Sequence, residues 1–428
     1  MKLKTGAVSF VLGVLIASAV SFSLSNIGPA TADATSGTAV KAWSPTQPFP
    51  KHDVYYPGTE ELAPDEMRVI ACGTGMPQPR LKQAAACLLV ELGNGDKFIF
   101  DMGEGSYERI TALGIPLDQL DKVFLGHLHL DHAGDFPAFW MTRAINAGRK
   151  PIRLWGPEGV REEWGTKAWV DYLHKAWGWE VASRGSATDP RGAQVDVTEF
   201  DWKAVNEVIY DENDVVIRTI PAIHLDQSAS FILEWNGLSL AFSSDTFPNK
   251  WWIEHTKGVD FSMHETVLPP DLWVERYSME PTAAVFAGTQ GHTTPAAFGK
   301  VMSMTQPKHA VAYHFQNDFD TAPVMEAAIR TTYDGPLDLA VDFMVWNVTK
   351  DGTRTRMAVP NHERFPEPAQ RETMEANTTD AYQWDPINYE GVEPETAAVI
   401  NEVLAAFNEE YGTNVEPTMS GIPFRDKE

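Results

Sequence analysis

His127-Leu128-His129-Leu130-Asp131-His132 packs three imidazoles and a carboxylate into six positions of a 428-residue chain that holds only 12 histidines, a density chance rarely produces. The apolar run Val123-Phe124-Leu125 before it reads as a buried strand ending at Gly126. Ala133-Gly134-Asp135 after it leads into an amphipathic run that reads as a helix. The cluster therefore sits on a strand-to-helix loop, where side chains can converge on one point. Zinc and similar divalent ions take imidazole nitrogens and carboxylate oxygens. His127 and His129, two apart in extended chain, point the same way and can share one ion. Asp131 and His132 turn the corner and can serve a second.

The formal charge is -25, which argues against a nucleic-acid partner because phosphate backbones are bound by Lys/Arg surfaces. A small anionic ester is still allowed, since bound metal ions supply local positive charge. Lys2 and Lys4 precede an apolar stretch from Ala7 to about Leu24, followed by Ala30-Thr31-Ala32, the pattern of a secretory signal over residues 1–34. The expected address is periplasmic or secreted, with no stable membrane span after processing; the alternative is an uncleaved anchor. Export permits a disulfide. The two cysteines, Cys72 and Cys87, lie in apolar runs that read as neighbouring core strands. Two buried thiols are the plain reading, and a pair between them stays open.

Residues 35–66 read as an exposed, Pro/Ser/Thr-rich lead-in. Met67 to Cys72 is a strand, and Gly73-Thr74-Gly75 a turn that lets the backbone pass close to the site floor. Ala84–Leu92 and Lys97–Asp101 form a hairpin over Gly93-Asn94-Gly95-Asp96. Residues 158–204 read as a helical insert with Trp164, Trp169, Tyr172, Trp177 and Trp179 at mostly helical spacing. Its aromatics either pack on the body or wall the site against a ring-bearing substrate. Further strands end at His224, at Ser243-Ser244-Asp245-Thr246, at His264-Glu265-Thr266 and at His314. His292-Thr293-Thr294 precedes a helix that starts near Pro295. Residues 360–428 form a C-terminal extension; Glu393 to Tyr411 is an amphipathic helix whose face of Val399, Ile400, Val403, Leu404 and Phe407 is expected to dock on the body, with docking on a partner as the alternative.

His127-x-His129-x-Asp131-His132 resembles the HxHxDH signature of the metallo-β-lactamase superfamily. Phe100-Asp101-Met102-Gly103-Glu104-Gly105 resembles the FDxGEGT stretch of its ribonuclease Z branch, with Ser106 in place of the Thr. His264-Glu265-Thr266 and His292-Thr293-Thr294 resemble that branch's HEAT and HST motifs. The resemblance implies an α/β fold, the four-layer αββα sandwich, over residues 67–359, with the tryptophan-rich insert and the C-terminal extension added. The long arm with which ribonuclease Z grips tRNA is not recognisable.

The resemblance also implies the ligand set. His127, His129 and His224 would hold one metal, Asp131, His132 and His314 the second, and Asp245 would bridge them. Two divalent ions, with zinc the expected metal, activate a water as the nucleophile. His292 is carried over as general acid with Glu265 orienting it, and Asp131 is expected to be essential to catalysis. Asp101 would hydrogen-bond the metal loop, and His264 would support the site from behind. The expected substrate is a small phosphodiester or an aryl sulfate. A lactonase or β-lactamase-type hydrolase shares the ligands but leaves Glu265 and His292 without a purpose. A non-catalytic metal-binding exported protein is the alternative of a different class. A homodimer is possible by analogy alone.

Overall fold

The computed structural model describes residues 53–78, 80–146, 148–184, 188–365 and 393–414; the signal segment expected at 1–34 lies outside them. Strands numbered in chain order form two sheets. The nine-stranded sheet runs β1 (Asp53–Tyr55), β16 (Gly352–Ala358), β15 (Met344–Thr349), β2 (Met67–Gly73), β3 (Cys87–Leu92), β4 (Lys97–Phe100), β5 (Lys122–Phe124), β6 (Ile152–Pro157), β7 (Val195–Phe200). The seven-stranded sheet runs β14 (Leu337–Leu339), β13 (Ala310–Tyr313), β12 (Phe261–Glu265), β11 (Leu238–Phe242), β10 (Ala229–Trp235), β9 (Val215–Pro221), β8 (Glu207–Glu212). In each sheet four consecutive strands, β4 to β7 and β11 to β14, lie parallel. Their carboxyl ends therefore share one edge, the usual place for a site in such sheets.

Strand alternation makes the layers. In β2 and β3 the side chains Met67, Val69, Leu88, Val90 and Leu92 enter the core between the sheets, where they meet Phe231, Leu233, Leu240 and Phe242 of the other sheet. Their neighbours Ile70, Cys72, Cys87 and Leu89 face the opposite way and pack with Phe136, Phe139 and Trp140 of the helix Phe136–Asn146. The outer face of the second sheet is covered by Trp252, Trp273, Phe298 and Met302. The result is helices, sheet, sheet, helices. Phe124 stacks on Trp155 with ring centroids 4.5 Å apart, a contact of the kind that adds about 0.5–1.5 kcal/mol beyond area burial. It anchors β5 immediately before the histidine loop.

Several expectations need correction. Cys72 and Cys87 are disulfide-bonded, because adjacent strands place their Cα atoms 5.0 Å apart on the same face. The lead-in contributes to the sheet, since β1 pairs in parallel with β16. The stretch 158–204 is not wholly an insert: β7 is the edge strand of the nine-stranded sheet, and the helices Thr166–Ala176 and Gly178–Ser183 precede it. Of its aromatics Trp169 packs on the body, while Trp164, Tyr172, Trp177 and Trp179 are exposed. The C-terminal helix forms at Pro394–Tyr411, but Val399, Ile400, Val403 and Phe407 stand exposed instead of docking; Ala397 is its buried residue and Leu404 is half-buried. The helices Pro270–Tyr277 and Pro281–Phe286 and the strand β14 carried no sequence expectation. No helix among the described residues is long and apolar enough to cross a membrane.

Candidate metal centre

Five strand ends, a short helix and a π-helical turn deliver the expected residues to one place. β5 leads through Gly126 to His127 and His129, and the short helix Leu130–Ala133 carries Asp131 and His132. β9 leads to His224, β11 to Asp245, β12 to Glu265 and β13 to His314. His292 closes the π-helical turn Ala287–Gly291, a backbone irregularity of the sort found at functional sites. Glycine is required at 126, where a Cβ would come within 2.4 Å of the Ser244 side chain. Gly73 is pressed as closely, since a Cβ there would meet the Ala85 carbonyl at 1.7 Å; the next residue's carbonyl, of Thr74, accepts the His314 N–H at 2.9 Å.

The expected ligand atoms form two groups that meet at Asp245. His127, His129 and His224 gather on its Oδ2 side, with His127 Nε2 at 3.9 Å and His224 Nε2 at 3.8 Å. His132 and His314 gather on its Oδ1 side, their Nε2 atoms at 3.2 and 3.1 Å, and Asp131 Oδ2 lies 3.2 Å from His314 Nε2. The other ring nitrogens of His132 and His224 are held from behind. His132 Nδ1 donates to Asp101 at 2.7 Å, and His224 Nδ1 donates to the Gly291 carbonyl at 2.8 Å. Asp101 Oδ1 also accepts the Gly126 N–H at 2.8 Å, so the expected bond from Asp101 to the histidine loop is present. Asp101, Ser244 and His314 all take positive φ, at 56°, 49° and 73°. Non-glycine residues are strained there, and strain of this kind concentrates at sites.

The electrostatics suit a cation. Burial holds His127 well below the ordinary histidine range and His224 down at about 4, so both offer a neutral nitrogen. Asp131 and Asp245 are buried, which alone would raise them, but the surrounding imidazoles hold both carboxyls well below the usual range. His132 is fully buried, yet Asp245, Asp131 and Asp101 outweigh that cost and push it well above its usual range. Three carboxylates facing one imidazole make a place that calls for positive charge. His132 Nε2 and Asp245 Oδ1 are buried without a hydrogen-bond partner although 3.2 Å apart. Buried polar atoms left that way are rare, and an ion between such nitrogen and oxygen donors accounts for both. The residues present fit a pair of divalent ions.

Glu265, fully buried, accepts His292 Nδ1 at 3.0 Å and the Thr246 N–H at 3.1 Å on one oxygen. Burial would lower His292, but the carboxylates of Glu265 and Asp245 push it up to about 9. His264 supports the site from behind through a hydrogen bond to the Glu265 backbone. It points to the opposite face of β12, its ring edge-on to Trp252 at 4.8 Å, and touches the site only by donating from Nδ1 to the Glu265 carbonyl. Two residues at the site drew no expectation. Ser244 contacts both Asp101 and His127. Gln227 donates to the Trp164 carbonyl at 2.9 Å and accepts the Val160 N–H at 3.2 Å, tying the insert to the His224 loop. Ser244 had a faint signal in its place beside Asp245; Gln227 had none.

A protein-family profile described as "Anti-Pycsar protein Apyc1" matches residues 67–271. The chain is 28% identical over 215 residues to the ribonuclease Z of Mycolicibacterium gilvum, covering 48% of this chain and 70% of that protein. It is 30% identical over 211 residues to the ribonuclease Z of Mycolicibacterium paratuberculosis, covering 48% and 72%. Among solved structures, the metallo-beta-lactamase fold protein YhfI from Bacillus subtilis superposes with a TM-score of 0.50 at 15% identity, over 66% of this chain and 99% of that one, a likeness of fold. With two sheets between helices and this identity over more than two thirds of a ribonuclease Z, the chain belongs to the ribonuclease Z-like branch of the metallo-β-lactamase superfamily.

Proposed function

We propose that the chain is an exported dinuclear-metal hydrolase acting on a small phosphodiester or an aryl sulfate ester. Asp245 carries this reading: its two oxygens face the two ligand groups separately, and His292 stands beside it at 3.9 Å. His127, His129 and His224 would hold one ion, Asp131, His132 and His314 the other, and Asp245 both. Two divalent ions, zinc by the donor types, supply an activated water and charge compensation at the ester's outer oxygens when bound.

The chain's own residues handle the proton. Glu265 fixes His292 through Nδ1, which leaves Nε2 as the atom to donate toward the leaving oxygen. A raised histidine pKa keeps that proton at neutral pH and loses it as pH rises through the shifted value. Cations bound nearby would bring the raised value back down. Activity that needs protonated His292 therefore falls on an alkaline limb at or below about 9.

The surroundings favour a small ring-bearing ester. Trp164 is 50% exposed and Val160 42%, and Gln227 fastens their segment to the loop on which Ile223 and Leu225 flank His224. Arg161 lies over the Trp164 ring at 4.4 Å. The net charge of -25 disfavours a phosphate polymer. The name ribonuclease Z borne by the relatives favours a second reading, an RNA phosphodiester. Export is supported by the apolar N-terminal pattern and by the Cys72–Cys87 disulfide, a bond that persists in oxidising compartments.

Bis-p-nitrophenyl phosphate, p-nitrophenyl sulfate, a lactone and a structured RNA, assayed side by side with zinc present, test the reading. Turnover of either small ester above the lactone and the RNA is the expected result. Turnover of the lactone or the RNA alone, or of none, overturns it.

A further inference from the structure

Asp101 reaches one metal-site histidine directly and another through a neighbour. Its Oδ2 lies 2.7 Å from His132 Nδ1 and accepts the Ser244 hydroxyl at 2.8 Å. The same Ser244 Oγ lies 3.3 Å from His127 Nδ1. All four residues are buried, Asp101 and His132 completely and Ser244 to 1% exposure, so water does not compete for these bonds. The backbone of Ser244 sits at a φ of 49°, where a residue with a Cβ is strained and glycine is not. A serine is nevertheless present, and its hydroxyl makes the only side-chain link described from β11's end to both Asp101 and His127.

The proton count fixes the direction of each bond. A carboxylate accepts only, and a hydroxyl has one proton. Ser244 therefore spends its proton on Asp101 and accepts with its lone pairs. The group that donates to it is the N–H at His127 Nδ1, which puts the lone pair of neutral His127 on Nε2, the atom 3.9 Å from Asp245 Oδ2. Asp101 sets His132 in the same way by accepting from Nδ1, leaving His132 Nε2 toward Asp245. The other hydroxyl contact, to His132 Nδ1, is longer at 3.4 Å and competes with the direct bond to Asp101.

We propose that Ser244 is a positioning residue: it relays Asp101 to His127 and holds that imidazole in the tautomer whose Nε2 is free for a metal. One buried carboxylate thereby sets a histidine in each of the two ligand groups. This rests on the metal reading given above and adds a role that the ligand pattern alone does not contain. Outer partners of this kind set ring orientation and ligand basicity, and losing one typically costs metal affinity roughly 10–100-fold.

Two substitutions separate the hydroxyl from the backbone. Ser244→Ala removes the hydroxyl and keeps the strained φ. Ser244→Gly removes the hydroxyl and relieves the strain. Zinc affinity of the full chain is measured by competition with a chromogenic chelator, with thermal unfolding of the chelator-treated proteins alongside. The expected result is a loss of about tenfold or more in affinity for the weaker-bound zinc in both variants, with the glycine variant at least as heat-stable as wild type. A smaller loss in either variant overturns the relay, and wild-type affinity in the glycine variant alone assigns Ser244 to the backbone only. Histidine ¹⁵N spectra of the chelator-treated chain give a second readout. Wild type should show His127 as the Nδ1–H form and Ser244→Ala a shift away from it; an unchanged tautomer overturns the proposal. If wild type takes up no zinc, the metal reading fails by itself and the tautomer spectra still decide the relay.

Discussion

The two proposed ligand groups share Asp245 but stand in different surroundings. Asp131, His132 and His314 are all buried, and two of their supports, Asp101 and the Thr74 carbonyl, come from the floor of the nine-stranded sheet. His127 is buried too, but His129 is exposed and His224 half-buried, on loops edged by the exposed side chains Leu130, Ile223 and Leu225. The second group is rich in negative charge and closed. The first is made mostly of neutral imidazoles and opens outward. On the function proposed above, burial and carboxylate count make the closed group the structural anchor, and exposure makes the open group the face offered to substrate.

The sharpest way to break this division is at the shared residue. Asp245→Ala should abolish turnover, by roughly 10³-fold or more, since it removes several kcal/mol of charge stabilisation at about 1.4 kcal/mol per tenfold. If instead the variant kept one group's metal and most of its rate, the groups would be independent. His292 lies against both, with ring centroids 4.7 Å from His224 and 5.3 Å from His314. His292→Ala should lower kcat by about 10²–10⁴-fold and remove the alkaline limb; a rate within a few-fold of wild type would take proton donation away from it. Graded chelation should strip one equivalent well before the other. His224→Ala should remove the early one and leave the late one, and simultaneous loss would erase the contrast.

Two smaller effects fall one on each side. Cys72 lies two positions before Thr74, whose carbonyl accepts the His314 N–H, so the disulfide braces the closed group. Paired Cys72→Ser and Cys87→Ser should cost about 3 kcal/mol in urea unfolding, for a loop spanning 15 positions. The late zinc should weaken with it. Trp164→Ala lies on the open side and should raise KM for an aryl ester by a few-fold, about 1 kcal/mol, with kcat little changed. An equal drop in kcat would mean that the tryptophan shapes the metals and not the substrate.

The same contrast explains what was legible in the sequence. His127 to His132 announce themselves because the ligands of both groups lie in one loop, and Asp245 and His314 stand at the ends of apolar strands. The helices and strands that flank them follow from alternation and helical period. Ser244 and Asp101, 143 positions apart, meet only because two sheets pack face to face, which no local period encodes. The Gln227 clasp to residues 160–164 and the pairing of β1 with β16 are likewise tertiary events between segments with no matching signal. Helical period gives Pro394–Tyr411 an apolar face, but periodicity says nothing about what covers it.

Zinc titration of the full chain, read beside Asp131→Ala and Asp245→Ala, tests the centre most directly. The predicted result is two equivalents for wild type, one for Asp131→Ala, and weakened binding of both for Asp245→Ala. A wild-type chain that takes up fewer than one equivalent, or an Asp131→Ala chain that still binds two, would contradict the account.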